Sequence, residues 1–124
     1  MYNIGSCEEY IGSKSKLKEN SKIGSNSLYG KDKIFSHKYL LNFSKKNKIS
    51  YTNLRTFNII GKDKFKQNVI TYIISNKNFN KLNFHNLYAI RDFMWIDDYV
   101  FSIKSVIKNK NKFTVLNIGT GKGI

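Results

Sequence analysis

From Leu28 to about Asn47 the apolar residues Leu28, Phe35, Tyr39 and Phe43 recur at helical spacing, with Ile34, Leu40 and Leu41 widening the stripe and Ser27 in place to cap it. This is the clearest helix in the chain. Before it, Tyr2 to Ser6 reads as the end of a strand and the Gly-, Ser- and Lys-rich stretch 12–26 as a loop. After it, Ile49 to Ile60 is rich in β-formers and stops at Gly61, which predicts a strand. Phe65, Val69, Ile70, Ile73 and Ile74 predict a second amphipathic helix, broken near Asn76. Residues 79–96 read as short strands with polar turns, ending in Phe93-Met94-Trp95-Ile96. Asp97 or Asp98 is placed to cap a third helix that turns Val100, Ile103 and Ile107 inward. Phe113 to Ile118 forms a last strand before a glycine-rich end. Strands alternating with helices predict an α/β fold with parallel pairing.

With 124 residues, 40% of them hydrophobic and 15% aromatic, the chain is one domain or part of one, and a wholly disordered chain is excluded. The 22 Lys and Arg against 8 Asp and Glu give +14, a balance that usually points to nucleic acid or an anionic membrane. Only Arg55 and Arg91 are arginine, however, and Pro is absent and Ala occurs once, as an AT-rich coding sequence produces. Nucleic acid is therefore an unlikely partner, because base readout and stacking lean on Arg. The single cysteine, Cys7, excludes a disulfide within the chain and suits a reducing, cytoplasmic address. No apolar run is long enough for a membrane span or a signal peptide.

Three constellations could carry chemistry. Tyr29 and Lys33, four residues apart, share one helix face. A phenol needs a nearby cation to act as an acid or base at neutral pH, and Lys33 is placed to supply it. A solvated helix face is the plain alternative, since Tyr10 with Lys14 repeats the spacing. The second constellation is Gly5-Ser6-Cys7-Glu8-Glu9-Tyr10, where a hydroxyl at the end of a parallel strand would face a ligand. Cys7 is a poor nucleophile candidate, because neither His37 nor His85 stands in any sequence relation to it. The third is Gly119-Thr120-Gly121-Lys122-Gly123, a turn that lets backbone approach a phosphate or ribose. It lacks the following helix and acidic residue of a dinucleotide loop, and the spacing of a P-loop. Two isolated His and one Cys make no metal-ligand set.

In order, the segments resemble the middle and C-terminal parts of an extended short-chain dehydrogenase/reductase, the NAD-dependent epimerase/dehydratase family that acts on nucleotide sugars. Gly5-Ser6-Cys7-Glu8-Glu9-Tyr10-Ile11-Gly12 is similar to the segment carrying the catalytic Ser or Thr. Ser27-Leu28-Tyr29-Gly30-Lys31-Asp32-Lys33 resembles the Tyr-Gly-x-x-Lys helix start, and Leu54-Arg55-Thr56-Phe57-Asn58-Ile59-Ile60-Gly61 the Leu-Arg-x-x-Asn-x-x-Gly strand. Arg91-Asp92-Phe93-Met94-Trp95-Ile96-Asp97-Asp98 resembles the Arg-Asp-Phe-x-x-Val-Asp-Asp run, and Asn117-Ile118-Gly119-Thr120-Gly121 the late Asn-Ile-Gly-x-Gly.

The resemblance implies a Rossmann-type, doubly wound parallel sheet, present in part, with part of the small substrate-binding region. It implies NAD or NADP as cofactor and a nucleotide-diphosphate sugar as substrate. Tyr29 would be the acid/base, Lys33 would lower its pKa and hold the nicotinamide ribose, and Ser6 would hydrogen-bond the reacting oxygen. Asn58 and Arg91 would lie at the diphosphate. Ile11 separates Tyr10 from Gly12, so counting back from Tyr10 selects Ser6 and counting back from Gly12 selects Cys7; Ser6 is preferred as the stronger hydrogen-bonding group. Cys7-Glu8 stands where the family's 4,6-dehydratases carry Asp-Glu, which points to an epimerase or a 4-ketosugar reductase. Lys62 replaces the usual Pro after Gly61. The family's Gly-x-x-Gly-x-x-Gly loop would lie before Met1, so residues 1–124 are expected to be the C-terminal catalytic and substrate-binding portion. The missing half would come from upstream or in trans, and the resemblance leaves room for a homodimer. A catalytically inactive truncated fragment and a basic nucleic-acid-binding module are the rival readings.

Overall fold

Leu54 has no accessible surface, and Thr52, Asn53 and Arg55 around it are also buried, as befits the middle strand of a parallel sheet covered on both faces. The computed structural model describes residues 1–12, 16–61, 69–76, 78, 88–110 and 113–124. In it β1 (Tyr2–Ser6) and β2 (Thr52–Thr56) pair in parallel, and β2 pairs in parallel with a later strand, Val115–Ile118. Between them come β3 (Asn58–Ile60) and β4 (Phe93–Trp95), which form a separate parallel pair; Val115–Ile118 is β5. The helices are α1 (Leu28–Lys46), α2 (Val69–Ser75) and α3 (Ile96–Lys108).

Period-two alternation along β2 sorts the two faces of the sheet. Leu54 points to an apolar cluster with Met94 and Ile118, closed by Tyr99, Ile103, Val106 and Leu116. Asn53 and Arg55 point the other way, onto the buried carboxylate of Glu9. α1 lies against β1 and the 3-10 turn Cys7–Glu9 that follows it. The α/β, Rossmann-like expectation holds.

Several element-level expectations change. The predicted strand 49–60 is two strands, because the chain changes partner at Phe57: the Phe57 amide still donates to Ile118 of β5, whereas that of Asn58 donates to Asp92 beside β4. The last strand starts at Val115 rather than Phe113. α3 is capped at Trp95 with no side-chain hydrogen bond, so neither Asp97 nor Asp98 caps it; both lie in its first turn, and Asp97 Oδ2 accepts from Trp95 Nε1. Of the residues expected inward on α3, only Ile103 packs on the core, with Tyr99 and Val106, while Val100 and Ile107 are exposed.

The largest reversal is on α1. Leu28, Phe35, Tyr39 and Phe43 face outward, Leu28 at 79% and Phe35 at 70% exposure, and Phe35 stacks on Tyr39 with ring centroids 6.4 Å apart. The inward face runs through Gly30, Ile34, His37, Leu41 and Ser44, on the opposite side of the helix. Small residues there let the helix sit close to β1 and the 3-10 turn. α2 covers the expected second helix from Val69, with Asn76 just beyond its end; Phe65, Lys62, Lys14, His85 and the predicted strands in 79–87 lie outside the described residues. Among the described residues no helix is long and apolar enough to cross a membrane.

Candidate active site at the strand ends

Parallel register places Ser6 beside Thr56 and Thr56 beside Ile118, so β1, β2 and β5 end together. The segments that follow, Cys7–Glu9, Phe57–Asn58 and Gly119–Thr120, therefore share the carboxyl edge of the sheet, where open α/β sheets bind their ligands. α1 begins at the same edge. Ser27 Oγ accepts from the Gly30 amide at 3.0 Å, and a Cβ on Gly30 would stand 2.5 Å from the Glu8 carbonyl oxygen. Only glycine lets the helix start come that close.

Tyr29 and Lys33 sit on the first turns of α1. Lys33 Nζ lies 5.5 Å from the centre of the Tyr29 ring and donates to the Ile4 carbonyl at 2.8 Å, which ties the pair to β1. The Tyr29 ring is 55% exposed, on the solvent side of the edge. Ser6 is buried at the end of β1, where its Oγ accepts from the Glu8 amide at 3.2 Å and caps the 3-10 turn. Cys7 is half-buried beside it. Burial pushes its thiol pKa up, Glu8 adds to this, and the Ser6 hydroxyl and the Arg91 charge oppose it. The raised value keeps Cys7 a neutral thiol at physiological pH.

Asn58 and Arg91 form a second group. The Asn58 amide and its Nδ2 both donate to the Asp92 carbonyl at 3.1 Å, next to Arg91. Arg91 is exposed, and its Nη1 donates to the Ile90 carbonyl. The two groups share no hydrogen bond among the described residues.

Beneath the edge lies a buried polar network. Glu9 Oε1 accepts from the Ser6 amide at 3.0 Å, and its Oε2 pairs with Arg55 Nε at 2.8 Å and with Asn53 Nδ2 at 3.0 Å. Arg55 Nη1 donates to the Tyr10 hydroxyl at 2.9 Å, which in turn donates to Asn117 Oδ1 at 2.7 Å. Tyr10 is thus turned inward and Ile11 outward, and burial pushes the Tyr10 pKa up. An open cavity of about 540 Å³ adjoins this network, walled by Glu8, Tyr10, Ser25, Asn26 and Ser27.

Residues 1–119 match the sequence model of the NAD dependent epimerase/dehydratase family. The chain belongs to this family. Three solved structures of similar fold are the UDP-glucuronic acid 4-epimerase of Bacillus cereus bound to UDP-glucuronic acid and NAD (21% identity, TM-score 0.88), the dTDP-glucose 4,6-dehydratase of Bacillus anthracis bound to NAD (19%, 0.86) and the UDP-glucose 4-epimerase of Thermotoga maritima bound to UDP-glucose (24%, 0.81). Each covers 99% of this chain, which in turn spans 40–42% of their length. A comparison with curated proteins finds no match.

Glu9 and Asp92 organise this edge of the epimerase/dehydratase chain, although neither stands out in the motifs that contain them. A signal existed for Glu9: Ser6-x-x-Glu9 has the spacing of a capping box, which the structure forms in full. Nothing local marked Asp92.

Proposed function

We propose that this chain carries the catalytic helix and substrate side, residues 1–124, of an NAD- or NADP-dependent nucleotide-sugar 4-epimerase or 4-ketosugar reductase. The observation that carries the reading is the Tyr29–Lys33 pair at the carboxyl edge, with Lys33 Nζ near the phenol ring and anchored to β1. Tyr29 takes or gives the proton at the sugar oxygen, and the Lys33 ammonium favours the phenolate it forms. Ser6 or Cys7, adjacent at the end of β1, supplies the hydrogen bond to the same oxygen. Arg91 and Asn58 serve the diphosphate. Lys33 would hold the ribose of a bound NAD or NADP, whose nicotinamide would supply hydride-transfer chemistry at the sugar carbon.

The residues present fit only one end of that cofactor. Lys33 suits the ribose, whereas these 124 residues contain no Gly-x-x-Gly-x-x-Gly, and the Thr120 and Gly121 amides of the glycine-rich turn already serve Asp92. A companion N-terminal half, in the same chain or in trans, would cradle the phosphates; a cytoplasmic address and a homodimer complete the reading.

The test adds a family N-terminal half to the chain and follows interconversion of UDP-glucose and UDP-galactose, and reduction of a UDP-4-ketosugar. Tyr29→Phe keeps the ring and removes the proton, so turnover should fall by about 10²–10⁴ with substrate affinity little changed. Lys33→Met should lose activity at neutral pH and regain part of it as pH rises. Turnover within about twofold of the parent in Tyr29→Phe would return the pair to a solvated helix face.

A further inference from the structure

The turn at Gly119–Gly121 looks made for an anion. Its Thr120 and Gly121 amides converge, with Gly121 in the left-handed region at φ 72°, in the manner of backbone nests that hold phosphate. The anion in it belongs to the protein. Asp92 Oδ1 accepts from the Thr120 amide at 3.0 Å and from its hydroxyl at 2.6 Å, and Asp92 Oδ2 accepts from the Gly121 amide at 2.7 Å. The approach is tight enough that a Cβ on Gly119 would lie 2.7 Å from Asp92 Oδ2.

The rest of Asp92 serves other segments. Its carbonyl takes both donors of Asn58, and on its N-terminal side Arg91 exchanges two main-chain hydrogen bonds with Ile124, at 2.9 and 3.0 Å. Residues 119–124 are thereby folded back along 90–92. Arg91 is gripped through its backbone while its guanidinium pairs with no carboxylate among the described residues.

We propose that Asp92 is the positioning residue for Arg91: by filling the Thr120–Gly121 nest with its own carboxylate, it clamps the C-terminal turn against the Arg91 backbone and presents the guanidinium to a nucleoside diphosphate. The inference rests on the reading of Arg91 as a diphosphate ligand. It also explains why a phosphate-like loop stands at the site without serving phosphate. An aspartate that merely held the fold together would cost stability without acting through Arg91.

A double-mutant cycle separates these cases. UDP is titrated calorimetrically into the intact chain and into Asp92→Asn, Arg91→Ala and the double variant, with thermal unfolding followed in parallel. Asp92→Asn keeps the shape but turns a second donor toward the nest. It should weaken UDP binding roughly tenfold, the size of one lost charge-assisted contact. Arg91→Ala should weaken it at least as much, and the double variant should bind no more weakly than Arg91→Ala. If Asp92→Asn does not fold, Thr120→Val removes the hydroxyl but neither amide and should give a smaller loss, again absent in the Arg91→Ala background. Undiminished UDP binding by the folded Asp92 or Thr120 variant, or losses that add to that of Arg91→Ala, would overturn the positioning role alone. Failure of the parent to bind UDP, or indifference to Arg91→Ala, would overturn the diphosphate reading and the inference with it.

Discussion

Replacing Glu9 by Gln preserves its volume but strands the Arg55 guanidinium, which is 3% exposed and has no other carboxylate within reach among the described residues. Breaking one side of a buried pair costs about 3–5 kcal/mol, a large share of the roughly 5–15 kcal/mol that holds a domain together. Urea unfolding of Glu9→Gln should therefore show a midpoint far below the parent's. Removing both charges with Arg55→Met in addition should recover part of the loss, because the uncompensated cation is then gone. At this scale the sequence was legible where partners are close along the chain. Tyr29 with Lys33, or Ser27 with Gly30, follow from helical spacing. Glu9 with Arg55, 46 residues apart, and Asp92 with Thr120, 28 apart, depend on strand register that no local pattern encodes.

Among the elements, the contact between α1 and the approach to β2 carries a titratable pair. His37 Nδ1 and the Tyr51 hydroxyl lie 2.9 Å apart with their rings stacked, and burial pushes the Tyr51 pKa from 10.0 up to about 12. The folded state holds this proton more tightly than the unfolded chain, so the contribution is complete below pH 10 and is lost as pH rises toward 12. Over that window the parent should lose about 1–2 kcal/mol more than Tyr51→Phe, which has no proton to give up. Comparing denaturation curves of the two proteins from pH 9 to 12 checks the difference. Just past the end of the same helix Lys48 is held in the left-handed region at φ 54° while the Ile49 amide donates to the Ser44 carbonyl. Lys48→Gly should raise stability by about 0.5–1 kcal/mol, since glycine takes that conformation without a Cβ clash. Helix identity was legible because periodicity and the Ser27 cap are local. Which stripe of α1 faces inward was not, because hydrophobicity ranks residues by chemistry, whereas close packing selects by size, as the Glu8 carbonyl does at Gly30.

The molecule as a whole carries +14 with Lys as nearly all of its cations. Point charges on flexible stems attract polyanions without reading them, so duplex and single-stranded DNA should bind weakly, without sequence preference, and with affinity that falls steeply between low salt and about 0.2 M. Filter binding across a salt series tests this, and selective binding surviving at the upper end would count for a nucleic-acid module.

The bond from Lys33 to β1 has a consequence for self-assembly. In β1 the carbonyls of Met1 and alternate residues after it point to β2, as the bond from the Thr52 amide shows, so the Ile4 carbonyl points away from the sheet. Among the described residues it is an edge acceptor, the kind of group by which one copy of a chain recruits another into a growing ribbon, and an ammonium lid on it is a known deterrent. Here the deterrent and the cation beside the Tyr29 phenol are one and the same group. Any copy that grows by strand addition at this edge must first pull Lys33 off, and gives up its phenol's neighbour in doing so. Shortening the side chain with Lys33→Ala should therefore speed ribbon growth at this edge, followed as turbidity beside the parent.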